Sequence, residues 1–147
     1  MLSTILSGFY ERDLQKLIEE VRLFKHEENL WKTAGTVKNS CGNLVLHILG
    51  GTNFLIGATL AGTGYIRDRD AEFTTKGVKR EVLITRLEAL AQLVGKTVGS
   101  LSPEQLEAAY PREFDGAQRS VAYVLTQLAL HLNYHLGQVN YLRRVLE

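Results

Sequence analysis

Residues 39–66, NSCGNLVLHILGGTNFLIGATLAGTGYI, carry no charged side chain and are flanked by Lys38 and Arg67. Two kinds of helix produce such a run. One crosses a bilayer, for which the length suffices. The other is buried on all sides inside an all-helical protein. The stretch holds Asn43, His47, Asn53, several threonines and six glycines, which a bilayer would not favour. The remaining periodic segments are amphipathic and have no role in a bilayer. The run therefore reads as a central core helix without a membrane span, and the rest of the chain reads as its coat.

The bulk numbers agree. The chain has 147 residues, 45% hydrophobic and 22% charged, with a formal net charge of +1. That is the composition of one ordinary globular domain, here residues 1–147, with a sizeable core. The near-neutral charge argues against a nucleic-acid surface. Cys41 is the single cysteine, so no internal disulfide forms, in keeping with a reducing compartment. The stretch MLSTILSGFYERD has no basic region ahead of its short apolar run and does not read as a signal peptide. The expected location is cytoplasmic.

Periodicity near 3.6 residues predicts four long helices. The first spans about Leu2 to Phe24, with Leu6, Phe9, Tyr10, Leu14, Leu17, Val21 and Phe24 facing inward. A polar linker containing Trp31 follows. The second opens at NSCGN, capped by Ser40 or Asn39, and ends at Leu60 or Ala61 before the Gly62–Gly64 stop. RDRDAEFTTKG then reads as a charged connection. The third runs from about Val78 to Val98, with Val82, Leu83, Leu87, Leu90, Val94 and Val98 inward. SLSPEQL carries a capping box, Ser102 with Gln105, and Pro103 in the first turn of a short helix reaching about Ala109. After the loop YPREFDG, Ser120 caps the last long helix, Val121 to about Val145. Four such helices imply an all-α four-helix bundle. All three connections exceed ten residues, which leaves room for a crossover between parallel neighbours.

The candidate site comes from histidines. His131 and His135 lie four apart, so their rings stack on one side of the last helix. Relative to the stripe of Leu128, Leu132, Leu136 and Val139, His135 lies about 40° from the centre and His131 about 80°. Both rings sit at the edge of a buried face, where unpartnered imidazoles are costly. His47 is the only other histidine within a predicted core helix. Gly50 and Gly51 lie one turn along from it, where small residues allow close approach of another helix or a ligand. Three imidazoles match an open metal site with a position left for water or substrate. Hydrogen bonding of these rings to tyrosines or backbone carbonyls is the competing reading.

The surroundings limit the chemistry. No carboxylate falls on the helical faces next to the three histidines, so a peptidase-like general base has no obvious residue. Tyr134 and Gln138 are placed to orient imidazoles or a bound water. Asp13 interrupts the apolar stripe of the first helix. It reads as a buried ion pair, with Arg119 or Arg143 as partner, ahead of a general base. Asp68, Asp70 and Glu72 read as solvated loop charges in preference to the rim of a pocket, Cys41 as a small packing residue, and His26 as a surface residue. Because protonated imidazole cannot ligate, metal affinity is expected to fall below about pH 6.

NSCGNLVLHILGGTNFLIGATLAGTGY, then RDRDAEF, then HLNYHLGQVNYLRR together resemble the DinB-like superfamily, in its bacterial branch of small metalloproteins. RDLQKLIEEV and the following LW extend the resemblance over nearly the whole chain. It implies an up-down-down-up four-helix bundle holding a divalent metal, often zinc or nickel. The metal would be held by one histidine of the second helix and a pair on the last, here His47, His131 and His135. It also implies a frequent homodimer, to which Trp31 and the six tyrosines would contribute apolar surface. The resemblance implies that some relatives transfer or use low-molecular-weight bacterial thiols and one is a maleylpyruvate isomerase, while many have no known activity. Two functions follow as expectations: a metal-dependent thiol S-transferase or hydrolase acting on a small-molecule substrate, or a non-catalytic bundle whose metal serves structure or a partner contact.

Overall fold

A computed structural model describes residues 1–147. The chain is all helical. Helix α1 is Leu2–Leu23, followed by a tight 3-10 turn over Glu27–Trp31. Helix α2 runs Cys41–Ala61 and α3 Arg69–Thr74. Helix α4 is Arg80–Gly99, α5 Pro103–Glu107 and α6 Val121–Leu146. There is no strand; two isolated bridges, Ala109 with Ser120 and Phe114 with Ala117, close the loop before α6.

The predicted caps form. Ser40 Oγ accepts from the Asn43 backbone N–H at 3.2 Å and Ser120 Oγ from that of Tyr123 at 3.1 Å. Ser102 and Gln105 complete the capping box. Each satisfies a helix-end N–H that would otherwise lack a partner. Gly62, at φ +64°, ends α2 in the left-handed conformation that glycine adopts without steric cost.

Four long helices share one core of 31 buried residues. Helix α1 packs chiefly on α4 and α6, while α2 packs on α6, α4 and α3. Helices α1 and α2, consecutive in the chain, are thus not main packing partners, which explains the long connection between them. That connection is pinned from the far end of the chain: the Glu147 carboxylate accepts from the Lys25 and His26 backbone N–H groups at 2.9 and 3.1 Å. Those bonds to the ionised form hold the Glu147 carboxyl down at about 2.

Every residue from Ser40 to Gly50 is buried. Taken alone, α2 is long and apolar enough to cross a membrane; here its first half is enclosed by α3, α4 and α6. Trp31 also packs on it. A Cβ at Gly42 would lie 2.6 Å from the Trp31 ring, so the glycine makes room for the indole.

The predicted faces need two corrections. Phe9 and Val82 are 46% and 40% exposed. Each lies at the edge of its helix's apolar arc, and neighbours nearer the centre, Tyr10 and Leu83, take the core positions. Helix α2 also holds a feature the periodicity did not suggest, a π-helical turn over Asn53–Ala58. Such turns disturb the regular backbone pairing. Here side chains compensate: the Tyr110 hydroxyl donates to Leu55 O at 2.6 Å and Thr59 Oγ1 to Phe54 O at 3.0 Å.

The largest correction lies between α2 and α4. RDRDAEFTTKG is not merely a charged connection. Asp68 caps α3 by accepting from the Ala71 N–H, and α3 folds onto α2. Asn43 locks it there. Its Nδ2 donates to Glu72 O and Thr75 O at 2.9 and 2.8 Å, and its Oδ1 accepts from Ser40 Oγ at 2.7 Å and from Lys76 Nζ.

Candidate metal centre

Helix α2 brings His47, and α6 brings His131 and His135, to one point. The Nε2 atoms of His47 and His131 lie 3.3 Å apart, and those of His131 and His135 2.9 Å apart. One ligand atom from each ring falls within 4.8 Å of the others. The i, i+4 spacing on α6 accounts for the pair. His47 reaches them because α2 packs directly on α6. His47 is buried, His135 half-buried and His131 exposed at the mouth.

The protons on the rings can be assigned. His47 Nδ1–H donates to Glu72 Oε1 at 3.0 Å, since an ionised carboxylate only accepts. Gln138 Oε1 accepts from His135 Nδ1–H at 2.7 Å. In the neutral rings both Nε2 atoms are then bare lone pairs. Each faces Nε2 of His131, which has at most one proton to offer and cannot satisfy both. A cation at the convergence point removes the conflict. The spacing fits one: a tetrahedral ion with bonds of about 2.0–2.1 Å sets its nitrogens about 3.3 Å apart. The three histidines could hold a metal ion.

Burial and neighbouring charge favour the neutral, ligating form of His131 and His135. Burial, followed by the neighbouring rings of His135 and His47 and the charge of Arg67, pushes His131 down to about 4. Burial also lowers His135, opposed by its bond to Gln138.

The supporting layer is where sequence reading failed most. Glu72, expected as a solvated charge, is 5% exposed and joins the site. Arg67 Nε and Nη2 donate to Glu72 Oε2 and Oε1 at 2.9 and 3.0 Å, so the carboxylate is clamped between guanidinium and imidazole. Phe73, also from α3, packs against His47 with ring centroids 4.9 Å apart. The signal was Gly50–Gly51. A Cβ at Gly50 would lie 1.9 Å from Glu72 Oε2, and one at Gly51 3.3 Å from Arg67 Nη2. The close approach inferred beside His47 is real, and a charged pair makes it. Asp68 and Asp70 are exposed, as expected.

The other candidates divide. Gln138 orients His135. Tyr134 is 63% exposed, with its ring centroid 5.3 Å from that of His135. Asp13 is not at the centre. It is 2% exposed and accepts from Arg12 Nε at 2.8 Å and from Asn133 Nδ2 at 2.9 Å. Asn133 follows His131 by two residues, about 200° around α6, so Asp13 meets the opposite side of that helix. Its partners are Arg12 and Asn133, not Arg119 or Arg143; Arg143 instead donates to Glu20 at 2.6 Å. Cys41 is buried, its thiol pushed up to about 12 by desolvation and then by the nearby Glu20 charge, and its Sγ bonds Val139 O. It packs and does not ligate. His26 is exposed.

Residues 8–147 match the family described as "Protein of unknown function (DUF1572)", and the chain belongs to that family. No curated protein matches it.

Proposed function

We propose that this member of the DUF1572 family binds one divalent metal ion, zinc or nickel, through Nε2 of His47, His131 and His135. We further propose that it is a metal-dependent enzyme, transferring or hydrolysing a low-molecular-weight thiol substrate. One observation carries the reading: three imidazole lone pairs meet at one point, two of them aimed by hydrogen bonds on the far ring nitrogen. Metal-binding histidines are usually oriented this way. The exposed His131 leaves the centre open on one side. A divalent ion so held lowers the pKa of a bound water or thiol. Glu72 and Gln138 hold the imidazoles, and Arg67 holds Glu72. Tyr134, whose hydroxyl is free at the rim, is the remaining candidate to donate or accept a proton.

A non-catalytic metal-binding protein is the second reading. It is favoured by Glu72, whose two oxygens are both engaged, so no free carboxylate touches the imidazoles.

The architecture supports a DinB-like bundle of up-down-down-up order in a single domain. We also propose a cytoplasmic homodimer. Leu130, Tyr134, Tyr141 and Val145 give α6 an exposed apolar stripe suited to a second copy. Light scattering at high micromolar concentration should give the dimer mass, and a monomer mass would refute it.

The deciding experiment is elemental analysis of purified protein, with calorimetric zinc and nickel titration of the wild type and the triple alanine variant. Stoichiometric binding lost in the variant supports the site; equal binding, or none in the wild type, overturns it. A thiol-transfer and hydrolysis screen of the loaded protein then separates the two readings. The fold should largely survive chelation, because the core does not depend on the site.

A further inference from the structure

A cleft of about 390 Å³ opens beside the candidate centre, with His47 and His131, but not His135, in its wall. That size suits a small ligand. Arg67 and Arg69 also line it. Arg67 spends one edge of its guanidinium on Glu72, through Nε and Nη2. Nη1 makes no hydrogen bond to the protein, and Nη2 keeps a second hydrogen. These two groups form a fork that can take a planar carboxylate bidentately. The side chain is 19% exposed, so the free fork is partly desolvated. Gly51, in the same wall, has no side chain to lift the guanidinium off α2.

The charge of the cleft points the same way. Arg69 lies over the Phe73 ring, 6.0 Å from its centroid, and has no acidic partner. Asp115, the one acid in the lining, pairs with neither arginine. Leu55 and Leu128 supply an apolar wall. Nothing in the clamp on Glu72 requires a second fork.

We propose that this cleft binds the carboxylate of a small substrate, held by the free fork of Arg67 with Arg69 as second cation and its carbon chain against Leu55 and Leu128. The inference deepens the metal-enzyme reading and rests on it for placing that substrate beside a reactive centre. The carboxylate contact itself belongs to the metal-free protein, which separates the two in experiment.

The probe is butyrate, compared with its neutral isostere butyramide and with inorganic phosphate. Backbone amide NMR shifts are followed in metal-free and in zinc-loaded protein. Butyrate is expected to shift Gly51, Leu55 and Gln127 in both forms, and butyramide to leave them unmoved. Arg67→Lys keeps a charge for Glu72 but offers no second fork, and should weaken butyrate about tenfold. Arg69→Gln, which leaves the Glu72 clamp untouched, should weaken it several-fold. Equal shifts from butyrate and butyramide, no shifts at these residues, or wild-type affinity in both variants overturns the inference. Tighter binding of phosphate than of butyrate overturns the carboxylate assignment. Failure of zinc to bind the histidines defeats the metal reading alone, because butyrate binding is scored independently in the metal-free protein.

Discussion

The α1–α6 interface and the α2–α3 interface both bury carboxylates, and they use them differently. Along α1, Asp13 and Glu20 are seven residues apart and take amides seven apart on α6: Asn133 bonds Asp13 at 2.9 Å and Asn140 bonds Glu20 at 2.7 Å. Arg12 and Arg143 complete the charges. Every partner in that row is another structural group, so the row is a clamp between two helices. At α2–α3, Glu72 has the same kind of arginine but hands its remaining capacity to an imidazole. One carboxylate ends in packing; the other ends in the aim of a lone pair. A buried acid with an arginine is therefore no sign of function until its second partner is known.

The two interfaces should separate most sharply under metal titration. His47→Ala, His131→Ala or His135→Ala should each lower zinc or nickel affinity by about a hundredfold or more. Asp13→Ala should leave the affinity at the wild-type value in the same calorimeter. An Asp13 variant that lost metal would erase the contrast.

Next in size is the aim itself. Glu72→Ala keeps all three ligands but frees His47, and affinity should fall by about 10–100-fold. Gly50→Ala should mimic it, because the new Cβ occupies the place of Glu72 Oε2. If Gly50→Ala bound metal normally, the role given to α3 would be wrong.

The structural clamp shows its effect in unfolding. Asp13→Ala removes two hydrogen bonds to a buried carboxylate and should cost about 1–3 kcal/mol, read as a lower denaturation midpoint. Adding Asn133→Ala should cost little more, since the bond they share is already gone.

Acid should act on the centre through His131. His131 is held down at about 4 in the folded protein against about 6.5 unfolded. Between those values the unfolded chain binds more protons, so metal-free stability rises with pH through that window and is lost on acidification. His131→Ala should flatten that slope in melts from pH 7 to pH 4. The same shift carries metal binding by His131 below the limit near pH 6 expected of an ordinary imidazole. The smallest expected effect is that of His26→Ala, which should leave metal affinity unchanged.

Much of this was written locally in the chain. Apolar spacing at 3.6 residues laid out the four long helices, and Ser40, Ser102 and Ser120 marked three helix starts, because capping and amphipathicity depend on neighbours within a turn or two. The i, i+4 spacing put His131 and His135 together for the same reason, and the Gly50–Gly51 pair announced that something would come close to His47. What came close could not be read there. Glu72 lies 25 residues from His47 in sequence, and in RDRDAEF it looks like any solvated charge. Its burial needs α3 to fold onto α2, Asn43 to hold α3, and Arg67 to neutralise it. Asp13 was read as a buried ion pair, and it is one, but with Arg12 in place of Arg119 or Arg143, since its apolar neighbours signal burial and say nothing of which charge it meets. Sequence carries the period of each helix; which charges end up sharing a partner is decided only when the helices pack, because desolvation lets a charge stay buried only where its partners already stand.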